Sequence, residues 1–351
     1  MLYKTFVSLV KITNILFSES IFYIYTFLLS NIIYKLLLME NECYFVSCRG
    51  ILKSCTFHYI NQTANVSKDV NYLYDMLTSN EMFDGMSIYI FSDLIKYFVN
   101  IILPNIKYKF VLVTGESNLC VPKEVLTEQE TYTLIKNPYL LKWFVQNSRI
   151  HENDKIIQMP IGLDYHTFFN NPNNIFKLPE ESHIPKNQEL VLLNIINDSI
   201  PYYKRIPKIF VNFSLNDDRF QQKRKALNII SKELLILNKD ILPRSIYLEK
   251  AVNYTFVLTP SSSGLDSHKI WEALCIGCTP ILCVPEFKKL LEDLPVLIVE
   301  DWSELTQELL NKTIEDFRSR IFNYRKLTLD YWRGLINENV NKQKSLEINY
   351  A

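Results

Sequence analysis

The sequence has little glycine and no excess of charge, and both shortages exclude classes of function. Lys and Arg number 38 and Asp and Glu number 38, so the net charge is zero at pH 7. A nucleic-acid-binding surface usually gives a basic excess, so no nucleic-acid partner is predicted. Only seven of the 351 residues are glycine. The chain has no G-x-x-x-x-G-K-[ST] loop, which argues against a P-loop ATPase, and no G-x-G-x-x-G after a predicted strand, which disfavours a nicotinamide dehydrogenase.

Cysteine is present, but without the spacing of a disulfide framework. The seven cysteines are an odd number, which favours a reducing, cytoplasmic compartment. Cys275 and Cys278 have the spacing of half a zinc site. They span the end of an apolar predicted helix, however, and no second pair accompanies them. We therefore expect no metal ion.

The whole chain is 48% hydrophobic, enough for a sizeable core, and strands and helices alternate in its carboxyl-terminal half. An apolar run predicts a strand at Tyr254–Leu258. A helix follows, capped by Asp266 or Ser267 and ended by Gly277. Further strands are predicted at 280–284 and 296–299, and a helix at 219–237. Alternation of this kind indicates βαβ units and a parallel sheet.

The amino-terminal half repeats the pattern and predicts a second Rossmann-like domain. The predicted strands are 43–47 (followed by a turn at Arg49-Gly50), 87–92, 110–114 and 155–161, and predicted helices lie at 93–102 and 139–144. The fold class predicted for the whole chain is α/β.

Polar residues gather after the strand that ends at Leu258. In a parallel sheet, ligands bind outside the carboxyl ends of the strands. A helix N-terminus beside the loop 261–263 suits a phosphate, and Lys269 adds a full positive charge. Glu272 lies among apolar helix residues, so its carboxylate needs a polar partner.

The segment Gly264–Ile281 reads G-L-D-S-H-K-I-W-E-A-L-C-I-G-C-T-P-I. It resembles the donor-binding segment of glycosyltransferases with two facing Rossmann-like domains (the GT-B fold). Exostosin-like enzymes and a related group of putative glycosyltransferases from algae, bacteria and large DNA viruses are the most similar, and the resemblance covers nearly everything after Met39. It implies transfer of a sugar from a nucleoside-diphosphate sugar to a glycan or glycoprotein acceptor. It also implies that Glu272 holds the ribose, while the loop and Lys269 hold the diphosphate.

The resemblance assigns candidate residues to each side of the expected cleft. The donor-binding candidates are Ser261, Ser263, Gly264, Asp266, His268, Lys269, Glu272, Asn212, Arg219 and Arg224, whereas Lys223 and Lys225 are expected on a solvated helix face. Glu116 is the first candidate for the catalytic base and His166 the second. Both have plainer alternatives, since Glu116 could cap a turn and His166 could steady a linker.

The predicted organisation is an apolar extension at 1–40, an acceptor-side domain at 41–165, a linker at 166–207, a donor-binding domain at 208–335 and a tail at 336–351. The extension is expected to be helical. Its apolar segment Ser20–Tyr34 is shorter than the roughly 20 residues of a membrane span. Two interpretations stay open: an amphipathic extension of a cytoplasmic enzyme, packed either on the enzyme itself or on a membrane surface, or a secretory-pathway membrane anchor.

Two further patterns bear on mechanism. The Asp-x-Asp triplet with which the other large glycosyltransferase class binds metal is absent, so no metal or other cofactor is required beyond the donor substrate. Many retaining GT-B enzymes carry a glutamate eight positions before the one matched by Glu272, where this chain has Gly264, which puts that form of retention in doubt. A non-catalytic glycan- or nucleotide-binding module, and another enzyme class with a nucleotide-like cofactor, remain as alternatives.

Overall fold

The chain folds into an α/β structure with two parallel sheets. A computed structural model describes residues 40–58, 70–78, 82–150, 153–167, 184–213, 221–238, 240–261 and 264–338. The first sheet has four strands in the order β1-β2-β3-β4, and the second has five in the order β6-β5-β7-β8-β9. The predicted α/β class is therefore confirmed. The apolar segment before Glu40 lies outside the described residues.

The amino-terminal half contains the four-stranded sheet. Its elements are α1 (Cys48–Ser54), α2 (Val70–Thr78), β1 (Met86–Phe91), α3 (Ile95–Tyr97), β2 (Phe110–Gly115), α4 (Glu128–Lys136), β3 (Leu140–Val145) and β4 (Ile156–Gln158). Helix α3 is the middle of a longer helical segment. A 3-10 turn at Ser92–Leu94 precedes it, and a π turn at Phe98–Ile102 and a 3-10 turn at Leu103–Asn105 follow it. Every residue of β2 is buried, because helices and loops cover both faces of the sheet.

The carboxyl-terminal half contains the five-stranded sheet. Its elements are α5 (Pro185–Asn197), β5 (Ile206–Val211), α6 (Gln221–Ile229), β6 (Leu235–Leu237), α7 (Arg244–Ala251), β7 (Tyr254–Leu258), α8 (His268–Cys275), β8 (Thr279–Leu282), α9 (Lys288–Leu291), β9 (Leu297–Ile298), α10 (Gln307–Ser319) and α11 (Leu329–Ile336). Strand β7 is central, pairing with β5 on one side and β8 on the other.

Three predictions of local structure are wrong. Residues 43–47 form only isolated bridges, and Ser47 instead caps α1, which contains the predicted turn at Arg49-Gly50. Residues 139–144 are not a helix, because Leu140–Val145 pairs with both β2 and β4 as the strand β3. The helix predicted over 219–237 ends already at Ile229, since Leu235–Leu237 pairs with β5 as an edge strand.

Two elements fall at the predicted linker. Helix α5 lies within the predicted linker at 166–207, and β5 begins at Ile206, two residues before the predicted start of the second domain. Glu189 of α5 accepts hydrogen bonds from the backbone N–H groups of Tyr44 and Phe45. The second part of this segment is therefore a packed helix of the fold.

The last helix returns to the amino-terminal half. The N–H of Leu329 donates to the carbonyl of Tyr44, and Asn337 Nδ2 donates to the carbonyl of Ser54. Trp332 and Ile336 join a hydrophobic core to which both halves contribute. Within the described residues, no helix combines the length and the apolar character needed to cross a membrane.

The two sheets meet near the carboxyl ends of their strands. The N–H of Ile161, after β4, donates to Asp266 Oδ2, and the N–H of Asp266 donates to Asn147 Oδ1 after β3. Gly264 packs so closely that an added Cβ would lie 3.2 Å from Asn118 O. The loop before α8 is therefore fixed against the opposite sheet, at the place where ligands bind in parallel sheets.

Candidate functional site

A cavity of about 400 Å3 opens between the two halves, beside the N-terminus of α8. Residues of both halves line it: Asn118, Ile161, Asp164, Asn212, Phe213, Lys223, Ile241, Leu242, Arg244, Tyr247, Leu258, Thr259, Pro260, Asp266, Ser267, His268, Lys269 and Glu272. Its position follows from the parallel topology, since loops after β4, β5 and β7 converge on it.

A buried ion pair forms one wall of the cavity. Arg244, at the start of α7, donates from Nε to Glu272 Oε1 at 2.7 Å, and the two side chains are 11% and 8% exposed. Arg244 Nη1 also donates to the carbonyl of Asp164 and to Gln188 Oε1. The predicted need of Glu272 for a polar partner is thus confirmed, and the contacts of Arg244 hold the carboxylate in place.

Lys269 lies on the same helix, one turn before that ion pair. Its Nζ donates to the carbonyl of Asn212 at 2.8 Å and lies 4.0 Å from the ring centre of Tyr247. Burial lowers the pKa of Lys269, and the nearby negative charge of Glu272 opposes this lowering. The helix end and this ammonium place positive potential in the cavity.

The N-terminus of α8 is fixed by two neighbouring residues. Ser267 is the cap, with its side chain accepting from the N–H of Lys269. Asp266 accepts from the N–H groups of Ile161 and Ser267 and from Trp271 Nε1. Burial raises the pKa of Asp266 to about 6, and these three donors oppose the rise. Its role in this structure is to join the two halves.

Asp164 and His268 connect the cavity to the amino-terminal half. His268 Nδ1 lies 2.7 Å from the carbonyl oxygen of Gly162, so this nitrogen carries a proton and donates it. Burial acts to raise the pKa of Asp164, but His268, His166 and the N–H of Thr167 outweigh it and lower the pKa to about 2. Asp164 is therefore ionised at neutral pH.

A second polar cluster lies beside Asp164. His166 Nδ1 is 3.2 Å from Asp164 Oδ1 and 3.8 Å from Cys48 Sγ. Glu116 follows β2, with Oε2 3.7 Å from Arg49 Nε. The two residues predicted as base candidates, Glu116 and His166, thus lie close together. Neither lines the cavity, and His166 is connected to it through Asp164.

The backbone is strained on the amino-terminal side of the cavity. Glu116 and Asn147 are non-glycine residues with positive φ, 57° and 55°. Gln146 Oε1 accepts a hydrogen bond from the N–H of Glu116, and Asn147 Nδ2 donates one to the carbonyl of Ser117. Such conformations cost of the order of 1–3 kcal/mol and persist mainly where the surroundings impose them, often at functional sites.

The predicted donor-binding residues divide into three groups. Asp266, His268, Lys269, Glu272 and Asn212 line the cavity. Ser261, Gly264 and Arg224 do not line it, and Gly264 packs against Asn118 instead. Ser263 and Arg219 lie outside the described residues.

Among the lining residues that the sequence did not assign to the site, three bear on ligand binding. Arg244 and Tyr247 belong to a short helix without a binding motif, although the unpaired charge expected for Glu272 was a signal that a cation must be near. Lys223, expected on a solvated face, lines the cavity with Nζ 5.4 Å from the ring centre of Phe213.

The cavity combines a helix N-terminus, lysine side chains and an oriented carboxylate, a set that suits a ligand with phosphate and hydroxyl groups. No protein-family model matches this chain, and no curated protein matches it either. Its function must therefore be inferred from the site itself.

Proposed function

We propose that this protein is a GT-B glycosyltransferase that transfers a sugar from a nucleoside-diphosphate sugar to a hydroxyl of a glycan or glycoprotein. The observation that carries the proposal is Glu272, buried on the first turns of α8 and oriented by Arg244 at the wall of an inter-sheet cavity. A buried, oriented carboxylate near a helix N-terminus matches the two polar parts of such a donor, its ribose and its diphosphate.

The donor would lie along α8. The diphosphate would contact the helix N-terminus and Lys269, and Lys223 also lines the cavity. Glu272 would accept hydrogen bonds from the ribose hydroxyls, one turn further along the helix. Helix dipole and lysine charges would neutralise the diphosphate, so this mode of binding does not require a metal ion.

The acceptor would approach from the amino-terminal half. A hydroxyl nucleophile needs a base within hydrogen-bonding distance. Glu116 is our first candidate for that base and His166 the second; the two lie close together, and His166 contacts Asp164, which lines the cavity. Closure of the two halves on the donor would exclude water and limit its hydrolysis.

A panel of sugar nucleotides tests the proposal by thermal shift and calorimetry. One or more should raise the melting temperature of the wild type, and Glu272→Ala should abolish that shift. Glu189→Gln is the matched control, because Glu189 is a buried, hydrogen-bonded carboxylate outside the cavity. The control should respond as the wild type does.

Four outcomes would count against the proposal. If no sugar nucleotide stabilises the wild type, or if Glu272→Ala responds unchanged, the donor site is elsewhere or absent. If a sugar nucleotide binds but no transfer or hydrolysis occurs with any acceptor, the non-catalytic binding module becomes the better interpretation. Preference for a dinucleotide would point to the other enzyme class.

A further inference from the structure

We propose that Cys48, Glu116 and His166 form a zinc site at the edge of the cavity. The three residues come from separate segments: the first turn of α1, the residue after β2 and the loop after β4. One ligand atom of each lies within 4.8 Å of the others. The fold thus brings together a thiol, a carboxylate and an imidazole that are far apart in sequence.

The sulfur-to-nitrogen distance suits a tetrahedral ion. Around zinc, a sulfur ligand at about 2.3 Å and a nitrogen ligand at about 2.1 Å stand roughly 3.6 Å apart. Cys48 Sγ and His166 Nδ1 are 3.8 Å apart. A set with sulfur, nitrogen and oxygen favours zinc and disfavours magnesium and calcium, which prefer oxygen ligands.

Three buried polar atoms at or beside this cluster lack hydrogen-bond partners, which indicates a bound ligand independently of the distance argument. Within the described chain, Glu116 Oε1, Tyr89 Oη and Gln146 Nε2 are buried and accept or donate no hydrogen bond. Tyr89 and Gln146 are 2% and 1% exposed, and both pack against Gly115, the neighbour of Glu116. Because unpaired buried polar atoms are costly, a group that binds here would relieve that cost.

A zinc ion satisfies this requirement in a specific way. It would take Glu116 as a ligand directly, and a water molecule on the ion could bond to the neighbouring polar side chains. Three protein ligands and one open position are typical of catalytic zinc sites. Asp164 Oδ1 lies 3.2 Å from His166 Nδ1. Zinc bound to that nitrogen would replace this contact, and Asp164, which lines the cavity, would remain beside the ion.

The cluster must lose a proton to bind zinc. Zinc would have to displace that proton, because the thiolate is the ligand. Apparent zinc affinity should therefore increase with pH.

This inference rests on the three side chains and not on glycosyl transfer. It would, however, change one assignment in the proposed reaction. With zinc bound, Glu116 is a ligand, and an acceptor hydroxyl on the ion would be acidified by the metal instead of by a free carboxylate. The metal content of active protein decides between these two roles of Glu116.

Zinc binding can be measured on the full chain without any donor. After chelation and removal of the chelator, zinc is titrated in competition with a chromophoric indicator, and Co2+ is used as a probe for thiolate-to-metal charge-transfer absorption. Wild type should bind one ion per chain with that absorption. Cys48→Ser should lose the absorption, and His166→Gln should lower the affinity at least about tenfold.

Matched controls separate ligand loss from general damage. Cys55→Ser removes a buried thiol at the other end of α1, and His58→Gln removes a histidine that contacts the carbonyl of Cys55. Both controls should bind zinc as the wild type does. The proposal is overturned if the wild type takes up no stoichiometric zinc, if the controls lose as much affinity as the ligand variants, or if Cys48→Ser keeps the Co2+ absorption. A protein that binds zinc but no sugar nucleotide would refute the proposed function alone.

Discussion

The ion pair of Arg244 and Glu272 is buried, and its burial determines what a mutation there should cost. Removing one partner of a buried pair leaves an uncompensated charge, which typically costs about 3–5 kcal/mol. We expect Arg244→Met to lower the free energy of unfolding by about 3 kcal/mol, measured by urea denaturation. The double variant Arg244→Met/Glu272→Leu should recover much of this loss, because no charge remains buried, yet it should not bind a donor.

An exposed ion pair provides the control for that prediction. Lys225 and Asp301 lie 3.3 Å apart with side chains 53% and 46% exposed. Exposed pairs contribute about 0–1 kcal/mol, so Lys225→Met should change the unfolding free energy little. Equal losses from Arg244→Met and Lys225→Met would show that the Arg244 pair is not enclosed in solution.

Asp266 makes a pH-dependent contribution to stability. Burial raises its pKa to about 6, above the unfolded value of 3.8. Below pH 4 both states hold the proton, and between about pH 4 and 6 the native state binds more protons than the unfolded state. Stability from this group is therefore present at low pH and is lost as pH rises through 6, by an amount of the order of 3 kcal/mol.

The measurement compares the wild type with Asp266→Asn by urea denaturation from pH 4 to pH 7. Other titrating groups are common to both proteins, so their contributions cancel in the difference. The advantage of the wild type over the variant should shrink as the pH rises. A constant difference over this range would mean that the three donors to Asp266 outweigh its burial.

At the scale of single elements, Gly162 shows where the backbone tolerates no side chain. Its φ is +67°, and an added Cβ would lie 2.3 Å from the carbonyl oxygen of Val46. The surroundings are backbone atoms of the bridge to Ser47 and cannot rotate away. We expect Gly162→Ala to cost about 2–3 kcal/mol in thermal or urea unfolding.

Gly334 should respond in the opposite direction. It lies in α11, and an added Cβ would meet nothing within 4 Å. Alanine is the better helix former by roughly 0.5–1 kcal/mol, so Gly334→Ala should stabilise the protein. If both alanine variants lower stability equally, the backbone argument at Gly162 does not hold.

The elements also show what could be predicted from sequence. Strand β7 was predicted with its observed bounds, because an apolar run between polar turns permits few alternatives. Strand β3 was assigned to a helix, since its sequence LLKWFV has no alternation and periodicity alone cannot separate a buried strand from a buried helix.

Residues of the site were predictable only where a local motif carries them. Glu272 could be predicted because a carboxylate on an apolar helix face requires a partner. Arg244 could not, since its partner lies on another helix and only the tertiary fold brings the two together.

For the whole molecule, α11 determines how the two halves depend on each other. Trp332 is 3% exposed and belongs to the core shared by both halves, with Nε1 donating to the carbonyl of Lys326. Asn337, just after α11, accepts from Ser87 Oγ at the start of β1. Loss of packing in α11 should therefore weaken the amino-terminal half, although α11 is far from that half in sequence.

Hydrogen exchange measures that dependence. Trp332→Ala should cost about 3–5 kcal/mol and increase amide exchange in α1 and β1 more than in β7. Trp302→Ala is the matched control, because Trp302 is 1% exposed in a core whose described residues all belong to the carboxyl-terminal half. In Trp302→Ala, amide exchange should increase first in β5 and β7. If both variants accelerate exchange uniformly, the two halves unfold as one unit. In that case the amino-terminal half does not depend on α11 in particular, and α11 is one of many contacts that hold the halves together.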